Sequence, residues 1–159
     1  MDVTPALVAD QYAWVRDRAP VVVALANAVR DDLADAFDTR VDHIDAAGYR
    51  RVVDETFADG DRAVNAAALV AVLRDLDVAG DYPGFVVDEL LGRELAAVVA
   101  GNQPRRLLAE ATFHYADLQS HGGTAGEDDL DAALAAGVQT RLPGWRWTER
   151  ESPFGVDVD

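Results

Sequence analysis

The chain has 159 residues, and its 29 acidic residues against 14 basic ones give a formal net charge of −15. This length fits one domain, which can bury roughly 70% of the surface that the unfolded chain exposes. The absence of cysteine excludes disulfides, thiolate metal sites and cysteine nucleophiles. The longest apolar runs are shorter than the ~20 residues that a membrane span requires, so no membrane partner is expected.

The kind of charge is as informative as its amount. Every basic residue is an arginine, aspartate is far commoner than glutamate, and the acids are dispersed along the chain. Such a surface repels itself unless mobile cations screen it, as they do near molar salt. The composition therefore predicts a salt-adapted, halophilic source with high-salt counter-ions around the protein. Nucleic acid is disfavoured as a partner, because phosphate contacts weaken steeply as salt rises.

The first two predicted helices lie on either side of Pro20. The first begins at Thr4 as N-cap, with Pro5 at the first helical position, where its missing N–H costs nothing. The second is the clearest amphipathic helix in the chain. Its apolar face is predicted to contain Val22, Leu25, Ala26, Val29, Leu33 and Phe37.

Three further helices follow in the middle of the chain. The third is predicted over residues 46–58, capped by Asp45. The fourth is predicted with Asp61 as its cap and closes at Gly80. Its inward face is expected to contain Val64, Ala68, Ala71 or Val72, and Leu76. The fifth runs to Gly101, with a stripe of Val87, Leu91, Leu95 and Val98 that neighbouring apolar residues widen.

The sixth predicted helix begins at Pro104 and ends at paired glycines. Its core-facing stripe is expected to contain Leu107, Ala111, Tyr115 and Leu118. A capping box of Thr124 and Glu127 then predicts a short seventh helix that ends at Gly137.

The sixth helix carries a polar row of Glu110, His114, Asp117 and His121 beside that stripe. His114 and His121 are two turns apart, about 10.5 Å along the axis, so they are too far apart to bind one ion. The pair Glu110 with His114, or Asp117 with His121, could each supply two metal ligands if a second helix completed the shell. The preferred interpretation is a hydrogen-bonded helix edge, since such groups commonly pair at this spacing. No cofactor is predicted.

Arg105 and Arg106 lie in the first turn of the sixth helix, where positive charge opposes the helix dipole. This unfavourable placement indicates that the two arginines bind another group. A carboxylate on a neighbouring helix or subunit is the preferred partner.

The final segment, residues 138–159, has no helical period and is predicted to form an extended C-terminal arm. If the arm is extended, Trp145 and Trp147 project to one side and Arg146 to the other. Tryptophan and arginine are the residue types most enriched at interface hot spots, and Phe154 is predicted to bind a partner with them. The tryptophans close the domain's own core, contact another chain or stay disordered, and these alternatives stay open here.

Together these patterns predict an all-α protein: one bundle-like domain of six or seven helices over residues 1–137, followed by the arm. The preferred function is a non-enzymatic interaction or assembly subunit that binds a protein partner, or itself, through the arm. A structural connector of a larger complex or virus is one example. The alternative is a small metal-binding protein or metal-dependent enzyme using the polar row. The start of the chain has no signal-peptide pattern, which favours a cytoplasmic protein or one assembled into a virion.

Overall fold

The computed structural model describes residues 1–76, 79–120, 127–145 and 156, with the backbone alone at 81, 82, 85, 88, 89 and 127. The helices are α1 Pro5–Asp17, α2 Ala19–Ala36, α3 Ala46–Ala58, α4 Gly60–Asp75, α5 Asp81–Val86, α6 Arg93–Ala100, α7 Arg105–Gln119 and α8 Glu127–Arg141. A π-helical turn, Val87–Gly92, joins α5 and α6 without a break. Counting that continuous stretch as one helix, the described ranges contain seven helices, which confirms the predicted all-α class.

Two of the predicted helix starts are confirmed by their side-chain caps. The Thr4 hydroxyl accepts a hydrogen bond from the Leu7 N–H at 3.2 Å. The Asp45 carboxylate accepts one from the Gly48 N–H at 2.7 Å. These bonds satisfy N–H groups that the first helical turn leaves without an intrahelical acceptor.

The predicted cap of α4 is wrong. Asp59 rather than Asp61 caps the helix, and it accepts from the Arg62 N–H at 3.3 Å. Asp59 has the extended backbone that an N-cap requires, whereas Asp61 already lies in the first helical turn.

The centre of the domain is α8, the helix that the sequence predicts to be short. All its residues from Asp129 to Thr140 are buried. It packs against α2, α3, α4, α6 and α7. A helix buried on every side needs small residues so that its neighbours approach closely, and α8 is rich in alanine.

Gly137 does not end this helix as predicted. An added Cβ at Gly137 would lie 2.7 Å from the Val99 Cβ and 2.8 Å from the Ala96 carbonyl oxygen. The glycine therefore permits contact with α6 inside the helix. The helix continues to Arg141, four residues past the predicted boundary between domain and arm.

The predicted inward face of α4 and the predicted end of the apolar face of α2 are also wrong. Val64 is exposed, because α4 buries Ala63, Ala66, Ala67, Val70 and Leu73 instead. Phe37, predicted on the buried face of α2, is 70% exposed, since the helix ends just before it. None of the described helices has both the length and the apolar character needed to cross a membrane.

Candidate protein-interaction site

The side of α7 that points away from the domain is apolar. Leu107 and Leu118 are each 64% exposed, Tyr115 is 38% exposed, and Ala111 between them is also exposed. These four residues, called here the outer face of α7, are spaced by four, four and three positions, so they form one stripe along the helix. The prediction that this stripe faces the core is wrong.

The opposite side of α7 makes the core contact. It buries Ala109, Thr112, Phe113 and Ala116. The Phe113 ring lies against Gly92 of the π-helical turn, where an added Cβ would be 2.6 Å from the Phe113 Cζ. Ala109 and Ala116 are small enough for close packing on α8. The helix thus has two apolar sides, and the side with the smaller residues is the one that the tertiary structure buries.

The residues of the polar row that are described lie on one flank of the outer face. Glu110 and Asp117 are half-buried, and His114 is exposed. Burial, together with the nearby Asp129 carboxylate, raises the pKa of the Asp117 carboxyl to about 6, while His114 opposes the shift. The ionised form of Asp117, which lies at the edge of the outer face, is therefore destabilised.

The metal hypothesis depends on four residues, of which His121 lies outside the described part of the chain. Among the residues that are described, no group of three or more histidine and carboxylate side chains is arranged to hold an ion. Metal binding by Glu110, His114, Asp117 and His121 stays a prediction that no described geometry favours.

The two arginines at the start of α7 have different surroundings. Arg106 forms an ion pair with Glu94 of α6, with 3.5 Å between the Nη2 and Oε1 atoms. Arg105 is exposed and lines a cleft of about 710 Å³ together with Gln103, Arg141 and Trp145. The Arg141 guanidinium at this cleft donates to Glu55 at 2.6 Å.

Trp145, the one described aromatic residue of the predicted arm, lies against its own domain. It is 6% exposed and forms an isolated antiparallel bridge with Val41. The Arg30 guanidinium lies 5.6 Å from the centre of its ring. Trp145 thus belongs to the core of its own chain. The partner contact predicted for Arg146, Trp147 and Phe154 lies outside the described residues and stays a prediction.

The sequence therefore predicts the position of α7 but not the side that it exposes. The available signal was a second set on α7, residues 109, 112, 113 and 116, which is apolar except for Thr112 and also recurs at helical spacing. A helix with two such sets can bury either one.

A family model matches residues 1–158 of the chain, and its description is "Domain of unknown function (DUF7984)". No curated protein matches the chain, and no solved structure matches it.

Proposed function

The chain belongs to the DUF7984 family, and we propose from its structure that it is a non-enzymatic interaction or assembly subunit. Its docking surface is the outer face of α7. The observation that carries this proposal is the exposure of Leu107, Tyr115 and Leu118 on one helix side. The protein works in a salt-adapted cell, either in the cytoplasm or built into a larger particle such as a virion.

Exposed apolar area supports docking because covering it is favourable by roughly 25 cal/mol per Å² removed from water. Single exposed apolar residues are ordinary, but a contiguous apolar patch on a soluble domain commonly marks an interaction site. The outer face is contiguous over three turns of α7. It also contains no charged residue, in a chain whose net charge is −15.

The salt-adapted setting supports the same proposal. Near 1 M salt the range of charge interactions is about 3 Å, so recognition at a distance by surface charge is weak. Apolar contact does not suffer this screening. An acidic protein that must bind a partner in such a solution is best served by an uncharged patch like the outer face.

The test compares the mass of the particles recovered in molar KCl from cells that make either the native chain or Leu107→Glu/Leu118→Glu. The native chain is expected in a particle heavier than one chain, and the double variant as a folded monomer. Val21 and Val64 are exposed apolar residues on α2 and α4. The matched control is Val21→Glu/Val64→Glu, which should retain the native mass. Equal masses for the native chain and the α7 variant would overturn the proposal.

A further inference from the structure

Charged groups follow the outer face of α7 along one flank only. Arg106 lies near the start of the helix, Glu110 and His114 near its middle, and Asp117 near its end. At about 100° per residue, these four positions lie on the same side of the stripe. The order along the axis is positive, negative, imidazole, negative.

We propose that the occupant of the outer face is a second copy of this chain, paired antiparallel through α7 about a two-fold axis. The inference rests on the proposed function and names its partner. In a two-fold interface the same surface of both copies is used, so it must complement itself.

The apolar residues define the register of the pair. Leu107 of one copy lies opposite Leu118 of the other, which places Ala111 within one residue, about 1.5 Å along the axis, of the level of Tyr115. Leu107 and Leu118 are eleven residues apart, about 16 Å at 1.5 Å per residue. Both ends of the stripe are therefore covered at once, and the small Ala111 side chain accommodates the larger Tyr115 ring.

The same register also brings polar side chains of the two copies together. A two-fold axis perpendicular to two antiparallel helices places the charged flank of one copy against the charged flank of the other. Glu110 of each copy then lies next to His114 of the other, whereas Arg106 keeps its ion pair with Glu94 of its own chain. The contact between Glu110 and His114 occurs twice in the pair. A register chosen on apolar residues alone thus places a carboxylate beside an imidazole, and this agreement supports a second copy over an unrelated protein.

A parallel pair lacks this complementarity. Its two-fold axis runs along the helices, so the charged flank of each copy faces the uncharged flank of the other, which carries Leu108 and Gln119. The dipoles of the two α7 helices would also repel in a parallel pair, whereas antiparallel dipoles attract.

The absence of cysteine allows a clean test by disulfide formation, with oxidation in molar KCl. The variants Leu107→Cys and Leu118→Cys are prepared separately and then mixed. The mixture is expected to form a disulfide-linked heterodimer, because residues 107 and 118 lie opposite each other. Either variant oxidised alone should stay uncrosslinked, because identical residues are about 16 Å apart and a disulfide needs Cβ atoms about 4 Å apart.

The control variant is Ala13→Cys, at an exposed position of α1, which should not crosslink to either partner. Light scattering of the native chain, which needs no substitution, should give the mass of two chains. Crosslinking of each variant with itself would overturn the antiparallel pair in favour of a parallel one.

The charges are tested separately, at the lowest salt in which the chain stays folded. His114→Glu places two carboxylates together in each symmetric contact and should weaken the dimer roughly tenfold. The swapped variant Glu110→Arg/His114→Glu should restore the native dissociation constant. Equal constants for the three chains would overturn the register.

The failure of this inference can be told apart from the failure of the proposed function. A particle that requires the outer face but contains another protein, or more than two copies, would overturn the self-paired dimer and leave the interaction function standing. A native chain recovered only as a monomer would overturn both.

Discussion

Among the residues that the structure describes, Arg30 of α2 has the most completely buried charged side chain. Its guanidinium donates hydrogen bonds to the backbone carbonyls of Asp42, Gln139, Leu142 and Pro143. Burial lowers the pKa of the guanidinium to about 10, so it remains charged at neutral pH. The charge is offset by the carbonyl dipoles at the C-terminal end of α8. Arg30 thus attaches the end of the central helix to α2.

Replacing Arg30 by methionine should destabilise the domain by about 3 kcal/mol or more, because four backbone carbonyl groups lose their donor, and the bonds to Gln139 and Leu142 are buried. Chemical denaturation of the native and variant chains would measure the difference. Arg40→Met is the matched control, since the Arg40 side chain is 76% exposed and should cost less than about 0.5 kcal/mol. Equal losses for the two variants would contradict the role assigned to Arg30.

Asp117 should make stability depend on pH. Burial and the Asp129 carboxylate raise its folded-state pKa to about 6, above the value of an unfolded aspartate. At a pH between these two pKa values, Asp117 takes up a proton when the chain folds. The free energy of unfolding therefore increases as pH falls from about 7 to 4. Asp117→Asn should remove this dependence and stabilise the domain at pH 7.5 by roughly 1 kcal/mol, after allowing for solvent screening.

Denaturation midpoints between pH 4 and 8 would check the prediction for Asp117. The control is Asp10→Asn, an exposed position on α1. The same pH profile for the native chain and Asp117→Asn would show that this carboxyl is not the source of the dependence.

At the scale of elements, α8 determines how closely the other helices approach. Its contact with α6 occurs at Gly137, where the Val99 side chain and the Ala96 carbonyl occupy the space of a Cβ atom. The burial of α8 on all sides means that a change in its volume cannot be relieved toward solvent. Close packing, rather than helix propensity, is therefore expected to decide the effect of substitutions in α8.

Gly137→Ala should destabilise the domain by about 1–3 kcal/mol through overpacking, although alanine favours a helix by up to ~1 kcal/mol. The control is Gly60→Ala in the first turn of α4, where nothing lies within 4 Å of the added Cβ. That substitution should be neutral or slightly stabilising. Thermal unfolding of both variants would separate the two effects, and a stabilised Gly137→Ala would refute the close contact.

At the scale of the whole molecule, the net charge of −15 opposes folding, because the compact state brings like charges together. The denaturation midpoint should therefore rise with KCl from about 0.2 M to 3 M, as screening shortens the range of repulsion to a few ångströms.

Asp2, Asp10 and Asp75 are exposed aspartates on which this salt effect can be tested. Changing all three to asparagine should reduce the slope of the midpoint against KCl concentration. The matched control replaces three exposed uncharged residues, Asn65, Gln103 and Gln119, by serine. A native midpoint that does not change with KCl would argue against a salt-adapted protein.

The sequence by itself was sufficient for the features that depend on local interactions. The start of α1 at Thr4 and the range of α3 after Asp45 follow from side chains that bond the backbone a few residues away. The all-α class follows from helical periodicity, and the absence of cysteine chemistry from composition. The caps and the helical period depend only on residues within one or two helical turns of each other.

Only the tertiary structure decided which side of each helix is buried. On α7 two apolar sides compete, and contact of Phe113 with the glycine of the π-helical turn buries one and leaves Leu107 and Leu118 outside. On α8, Gly137 resembles a helix end until α6 is packed against it. Trp145 could have closed either its own core or an interface, and burial beside Arg30 decides for the core. Local propensity is nearly equal for such alternatives, so the choice depends on the shape and volume of segments distant in sequence.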